Sequence, residues 1–82
     1  MTYTAEISVM LKDGIADPQG QTIERALPAL GYSGVAGVRV GKRIQLSLEA
    51  GSPEEARIQA HEMCERLLAN TVIESYEVSI DG

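Results

Sequence analysis

Two side chains in this sequence are reactive near neutral pH, His61 and Cys64, each the single residue of its type. His61 lies on a predicted helix, roughly opposite Met63. A catalytic or metal-binding role would require further ligands or an orienting group, so His61 is read as an exposed surface residue. Cys64 stands beside Met63 and Leu67 with no nearby cation to lower its pKa, and is read as a small buried hydrophobe. A lone cysteine excludes an internal disulfide and a cysteine-based zinc site. The carboxylates Asp13, Asp17, Glu54 and Glu55 fall at turns and helix starts, where capping and dipole interactions account for the last three. Glycines 31, 34, 37 and 41 form neither GxxxxGK[ST] nor GxGxxG. Lys42 and Arg43 have the charge to hold a phosphate or a partner carboxylate, or simply to solvate a hairpin tip.

The elements that must position these groups centre on Gly37–Ala50, GVRVGKRIQLSLEA. Val38 and Val40 alternate with Arg39. Ile44, Leu46 and Leu48 then alternate with Gln45, Ser47 and Glu49, a period of two that predicts half-buried strands. Two strands folded back at Gly41 call for an odd loop, such as Gly41-Lys42-Arg43, or a glycine bulge at Gly41, to set Val40 opposite Ile44 and Val38 opposite Leu46 on one face. Lys42 and Arg43 would project from that tip.

Tyr3, Ala5, Ile7, Val9 and Leu11 share one face of a first strand. Asp17-Pro18 then opens a helix with a capping side chain and proline at the first helical position. Ile23, Ala26, Leu27 and Leu30 follow at helical spacing, and Gly31-Tyr32 closes it in a Schellman pattern. Pro28 removes a hydrogen bond to the Glu24 carbonyl and should distort the last turn. Ser52-Pro53-Glu54-Glu55 starts a second helix with a capping box. Its predicted buried stripe is Ala56, Ala60, Met63, Cys64, Leu67 and Leu68, with Asn70 beyond its end. Val72, Tyr76, Val78 and Ile80 share one face of the last strand.

The order β-α-β-β-α-β predicts an α+β two-layer sandwich of the ferredoxin-like kind, with a four-stranded sheet and two helices on one face. The opposite sheet face carries Thr4, Glu6, Ser8, Arg39, Gln45, Ser47 and Glu49, with no aromatic on the central strands. An RNA-recognition module, which stacks bases on sheet aromatics, is therefore excluded.

Eighty-two residues make one small domain, expected to bury about 60–65% of the surface that the unfolded chain exposes. A partner surface would help it. Three tyrosines without Phe or Trp leave the core to aliphatic side chains. A net charge of −5 argues against nucleic acid as a partner. The amino terminus lacks the basic-then-apolar layout of a signal peptide, and no apolar run approaches membrane-spanning length. The expectation is a cytoplasmic protein with no membrane partner. The residues by themselves lead no further than a small α+β module without an active site of its own.

LKDGIADPQGQTIERALPALGYSGVAGVRVGKRIQLSLE, followed by CERLLANTVIESYEV, resembles the PurS family, the small subunit of phosphoribosylformylglycinamidine synthase. The matching stretches are Leu11–Gly14, Asp17–Gly20, Leu30–Tyr32, Val38–Lys42 and Cys64–Tyr76, in the family's order and spacing. Pro28 and Thr71 depart from its pattern. The resemblance implies a single PurS-like domain over residues 1–82 in an enzyme that converts formylglycinamide ribonucleotide, glutamine and ATP into formylglycinamidine ribonucleotide, glutamate, ADP and phosphate. In that enzyme a glutaminase subunit releases ammonia and a large synthetase subunit, using ATP and Mg, consumes it. This chain would be a homodimer, or a tetramer, that bridges the two with no catalytic residue and no cofactor of its own.

For partner contacts the expectation falls on Arg39, Lys42 and Arg43 at the hairpin and on Gln19 and Gly20 in the first helix turn. Gly20 costs helix stability relative to alanine, which close approach by a partner would justify. Dimerisation is expected through open strand edges. A ferredoxin-like regulatory domain that senses a small molecule is the alternative. A small hydrolase on this fold would lack a nucleophile–base pair.

Overall fold

Strand β1 (Thr2–Leu11) lies at the centre of a three-stranded antiparallel sheet in the order β2-β1-β3. Its partners are β2 (Gly41–Glu49) and β3 (Glu74–Asp81). The structure, a computed structural model, describes residues 1–81. Helix α1 (Pro18–Ala26) separates β1 from β2, and α2 (Pro53–Met63) separates β2 from β3. Ile7 stands opposite Ile44 on one side and Val78 on the other, and Ala5 opposite Leu46 and Ile80. Ala5 and Ile7 therefore meet apolar neighbours on both flanks. Tyr3, Ala5, Ile7 and Val9 are all buried, as the period of two predicts.

Helix α2 covers that face. Ala56, Ala60 and Cys64, spaced by four, have no exposed surface, and their small side chains bring the helix close to the sheet. Ser52 caps it, accepting from the Glu55 N–H at 3.1 Å, while the Glu55 carboxylate accepts from the Gly51 N–H at 3.1 Å. The helix then widens into a π turn, Cys64–Leu68, in which the Ala69 N–H bonds the Cys64 carbonyl at 3.1 Å. Leu67, expected in the buried stripe, is instead 82% exposed. The inward row runs Ala56, Ala60, Cys64 and Leu68, and Leu67 is turned off it in the widened turn. Val72 also departs from expectation: it precedes β3 and is exposed, in a turn held by Asn70. The Asn70 carbonyl accepts from the N–H groups of Ile73 and Glu74.

The expected hairpin about Gly41 does not form, and the sheet has three strands instead of four. Gly41 is the first residue of β2, opposite Met10, and the chain passes straight through it. A Cβ at Gly41 would collide with the Met10 side chain and the Val9 carbonyl. Val38 and Val40 do not join the sheet, because side chains take up their amides. The Val38 N–H donates to the Glu24 carboxylate at 3.0 Å and the Val40 N–H to the Asp17 carboxylate at 2.8 Å.

Helix α1 does not lie on the sheet, so the expected pair of helices on one face is reduced to α2. Asp17 caps α1 by accepting from the Gly20 N–H at 2.8 Å. The α-helix stops at Ala26, and Leu27–Leu30 continues as a 3-10 turn. Pro28, which has no N–H to give the Glu24 carbonyl, accounts for the change. Gly31 follows at φ +98°, with Gly31 N–H to Pro28 carbonyl (3.0 Å) and Tyr32 N–H to Leu27 carbonyl (3.1 Å) completing the Schellman pair. Residues 12–40 thus form an arm in which Gly20 alone is buried.

Candidate functional site

The arm joins the sheet at a cleft of about 330 Å³. Val9 and Leu11 of β1, with Val40, supply its apolar surface, and Asp17, Gln19, Lys42 and Glu74 its polar groups. The alternation of β2 sets this up. Lys42 stands opposite Val9, on the helix-side face, and Arg43 opposite Ser8, on the polar face. The expectation that Lys42 and Arg43 share a hairpin tip is corrected: they are neighbours in sequence on opposite faces of one strand.

Asp17 is the clamp of this junction. Its two carboxylate oxygens accept from the Gly20 and Val40 N–H groups, each at 2.8 Å. Those two bonds, with the Arg39 guanidinium nearby, hold its pKa below the ordinary carboxylate value of 3.8. Arg39 itself donates to the Leu11 carbonyl and pairs with Asp13 at 3.3 Å, tying the returning segment to the end of β1. Gly20 is buried because the Val38 carbonyl and the Asp17 carboxylate occupy the space a Cβ would need. The close approach expected at Gly20 is thus made by the chain's own returning segment.

Of the five residues singled out from the sequence, Gln19 and Lys42 line the cleft, with Gly20 and Arg39 in the bracing behind it. Arg43 is elsewhere: it pairs with Glu6 on the polar face of the sheet, beside Ser8, Glu77 and Ser79. Glu24, which holds the Val38 amide, was not legible as a functional residue. An exposed-looking glutamate at mid-helix carries no local sign of a partner fourteen residues away.

His61 and Cys64 occupy the positions expected of them. His61 is exposed, its Nδ1 lying 3.4 Å from the Tyr76 hydroxyl. That hydroxyl donates to Glu65 at 2.6 Å, which with partial burial pushes the Tyr76 pKa up to about 12. Cys64 is buried, and burial followed by the neighbouring Glu65 charge pushes its thiol pKa up. No group of three or more His, Cys, Asp or Glu side chains is gathered to hold a metal ion among the described residues.

Protonating Asp17 should loosen the arm. Its folded-state pKa lies below the unfolded value, so its contribution is present above about pH 4 and is lost as pH falls through the folded value. Amide exchange at Gly20 and Val40, followed from pH 6 to pH 3, is expected to lose protection at the acid end. In Asp17→Asn that pH dependence should be absent. Protection unchanged in both proteins would remove the clamp.

A second surface lies on the other side of α2. Leu46, Met63, Leu67 and Leu68 line a largely apolar groove of about 330 Å³ between α2 and β2, edged by Gln59, Glu62 and Arg66.

The family model for PurS, described as phosphoribosylformylglycinamidine (FGAM) synthase, matches residues 4–82. The chain is similar to the phosphoribosylformylglycinamidine synthase subunit PurS of Synechocystis sp., with 47% identity over 92% of this chain and 75% of that one. It is likewise similar to the PurS subunit of Bacillus subtilis, with 40% identity over 96% of this chain and 93% of that one. Among solved structures, a chain in the PurLQS structure from Thermotoga maritima superimposes with a TM-score of 0.89, 38% identity and 98% of each chain covered. Bacillus subtilis PurS superimposes with a TM-score of 0.86 and 40% identity, over 98% of this chain and 99% of that one.

Proposed function

The chain belongs to the PurS family, and on that premise we propose that it is the small, non-catalytic subunit of FGAM synthase, the glutamine-hydrolysing ligase of purine biosynthesis. The observation that carries this is the match over residues 4–82, together with the similarity to a chain of the Thermotoga maritima PurLQS structure. Its partners are then a glutaminase subunit and a large synthetase subunit, and ATP and Mg are used by the latter. The chemistry explains why a third chain is useful. Ammonia released at one active site must reach another without meeting bulk water, where it would be protonated and lose its nucleophilicity. A small rigid module that holds two larger subunits in register serves that end without reacting itself.

The junction cleft, with Gln19 and Lys42 at its rim and Gly20 and Arg39 bracing it, is the surface we assign to subunit contacts; Arg43 belongs to a separate patch. The working form is at least a homodimer in the cytoplasm, and no helix among the described residues is long and apolar enough to cross a membrane.

Glutamine-dependent synthetase turnover, measured with the other two subunits and with this chain added or omitted, tests the assignment. Turnover should depend strongly on its presence. Full activity without it, where the other two subunits assemble, would overturn the adaptor role.

A further inference from the structure

The turn that ends β1 gathers the parts of a reaction that uses only the chain itself and water. Lys12-Asp13-Gly14-Ile15 closes with the Ile15 N–H on the Lys12 carbonyl at 3.2 Å. Gly14 has φ +85°, and Asp13 has no positive φ. That is the type II pattern, in which the Asp13–Gly14 peptide is the central one and its N–H takes no part in the closing bond. No backbone carbonyl takes up the Gly14 N–H among the described residues. The space where a Gly14 Cβ would stand is open. The Asp13 side chain is 99% exposed and pairs with Arg39 at 3.3 Å, an exposed contact of the kind that holds its members loosely.

An aspartate Cγ and the amide nitrogen of the next residue can close a five-membered ring. Closure is easiest where that residue has no Cβ in the way and its amide is unbonded. Asp13 meets these conditions, whereas Asp17 and Asn70 do not. Asp17 precedes proline, which has no N–H, and its two oxygens are occupied by the Gly20 and Val40 N–H groups. The Asn70 side-chain oxygen accepts from the Val72 N–H at 3.2 Å, and the residue that follows, Thr71, has a branched Cβ. The other Asp-Gly pair, Asp81-Gly82, extends past the described residues.

We propose that Asp13-Gly14 is a site of spontaneous isomerisation in the folded chain, at which aspartate becomes isoaspartate and the base of the arm is loosened. The Gly14 nitrogen gives up its proton and bonds to the Asp13 Cγ. One carboxyl oxygen leaves as water, and a succinimide is formed. Water then opens the ring. Addition at Cγ breaks the new bond and restores aspartate. Addition at the main-chain carbonyl breaks the original peptide bond and leaves the chain running through Cβ and Cγ. The water lost in closure is regained in opening, so the product is an isomer and no oxidant or reductant is needed. It has one more backbone carbon between Lys12 and Ile15, which displaces the bond that closes the turn. Its carboxylate sits directly on Cα, drawn back from the Arg39 guanidinium. Arg39 then keeps only the Leu11 carbonyl, and the returning segment is less firmly tied to the end of β1.

The test keeps the full-length chain folded at physiological temperature and near-neutral pH for several weeks, beside the same chain unfolded in guanidinium chloride. Arginine-specific cleavage gives peptide 1–25, which holds Asp13 and Asp17, and peptide 67–82, which holds Asp81. Electron-transfer fragmentation assigns isoaspartate to its residue. It should build up at Asp13 in the folded chain, at a rate approaching that of the unfolded chain, and be absent at Asp17. Asp13→Glu keeps a carboxylate for Arg39 but would need a six-membered ring, and should lose the modification. Amide exchange at Val38 and Val40 should quicken in the aged wild type and stay unchanged in aged Asp13→Glu. A folded chain without isoaspartate at Asp13 would overturn the site, whatever the unfolded chain does. Isoaspartate at Asp13 with exchange unchanged would overturn the loosening of the arm.

Discussion

Replacing Gly20 by alanine is expected to destabilise the arm, although the same exchange in an ordinary helix interior favours the helix by about 1 kcal/mol. The reversal of sign comes from the returning segment. A Cβ at this position would press into the Val38 carbonyl and lie 2.7 Å from an Asp17 carboxylate oxygen. Neither neighbour is free to retreat. The Val38 and Val40 amides are fixed by Glu24 and Asp17, and Asp17 is bonded to the Gly20 N–H itself. Overpacking of this kind costs about 1–3 kcal/mol, enough to outweigh the propensity gain. Amide exchange at Val38 and Val40 should quicken in Gly20→Ala, and assembly with partner chains should weaken. Gly34, with open space around it and no positive φ, is the control. Gly34→Ala should be neutral or stabilising by up to about 1 kcal/mol. If the two variants behaved alike, the packing account of Gly20 would be wrong.

Ile7→Ala should have the largest effect on the protomer. Ile7 has no exposed surface, lies at the middle of the central strand, and packs with Val9, Cys64 and Ala69 under α2. Truncating such a residue costs about 2–5 kcal/mol. A chain of this length has a total stability of about 4–12 kcal/mol, so the variant should melt at least about 10 °C lower and can lose cooperative unfolding altogether. Leu67→Ala, measured where the chain is monomeric, should stay within about 0.5 kcal/mol of the wild type. Comparable losses in the two would mean that the apolar centre had been placed wrongly.

The parts of the fold legible in the sequence are those fixed by local rules. The alternation of Tyr3 through Leu11 needs only the pleat of a strand. Asp17-Pro18 and Ser52-Pro53 need only the orphan amides of a helix start, and Pro28 only its missing N–H. The expected hairpin fails because alternation reports a strand, not its partner. Val38 and Val40 alternate as well as Ile44 and Leu46 do, but Asp17 and Glu24 reach their amides first, and that competition is tertiary. Leu67 had a weak signal: Ala56, Ala60, Cys64 and Leu68 form a complete inward row without it. For the candidate site, Gln19 and Lys42 do meet at one cleft, though by way of the strand's register and not through a turn. The separation of Lys42 from Arg43 follows from the same register, which no single stretch of sequence specifies.

Cys64 has one more consequence, and it concerns time. The only thiol in the chain is closed between α2 and the sheet, with its ionisation suppressed by burial. A reagent that attacks thiolates can reach it only when those two layers part. Its labelling rate is therefore a stopwatch for the opening of the protein's centre, built in without any added probe. No arm residue belongs to the cluster around Cys64, so loosening the arm by Gly20→Ala should leave that rate unchanged.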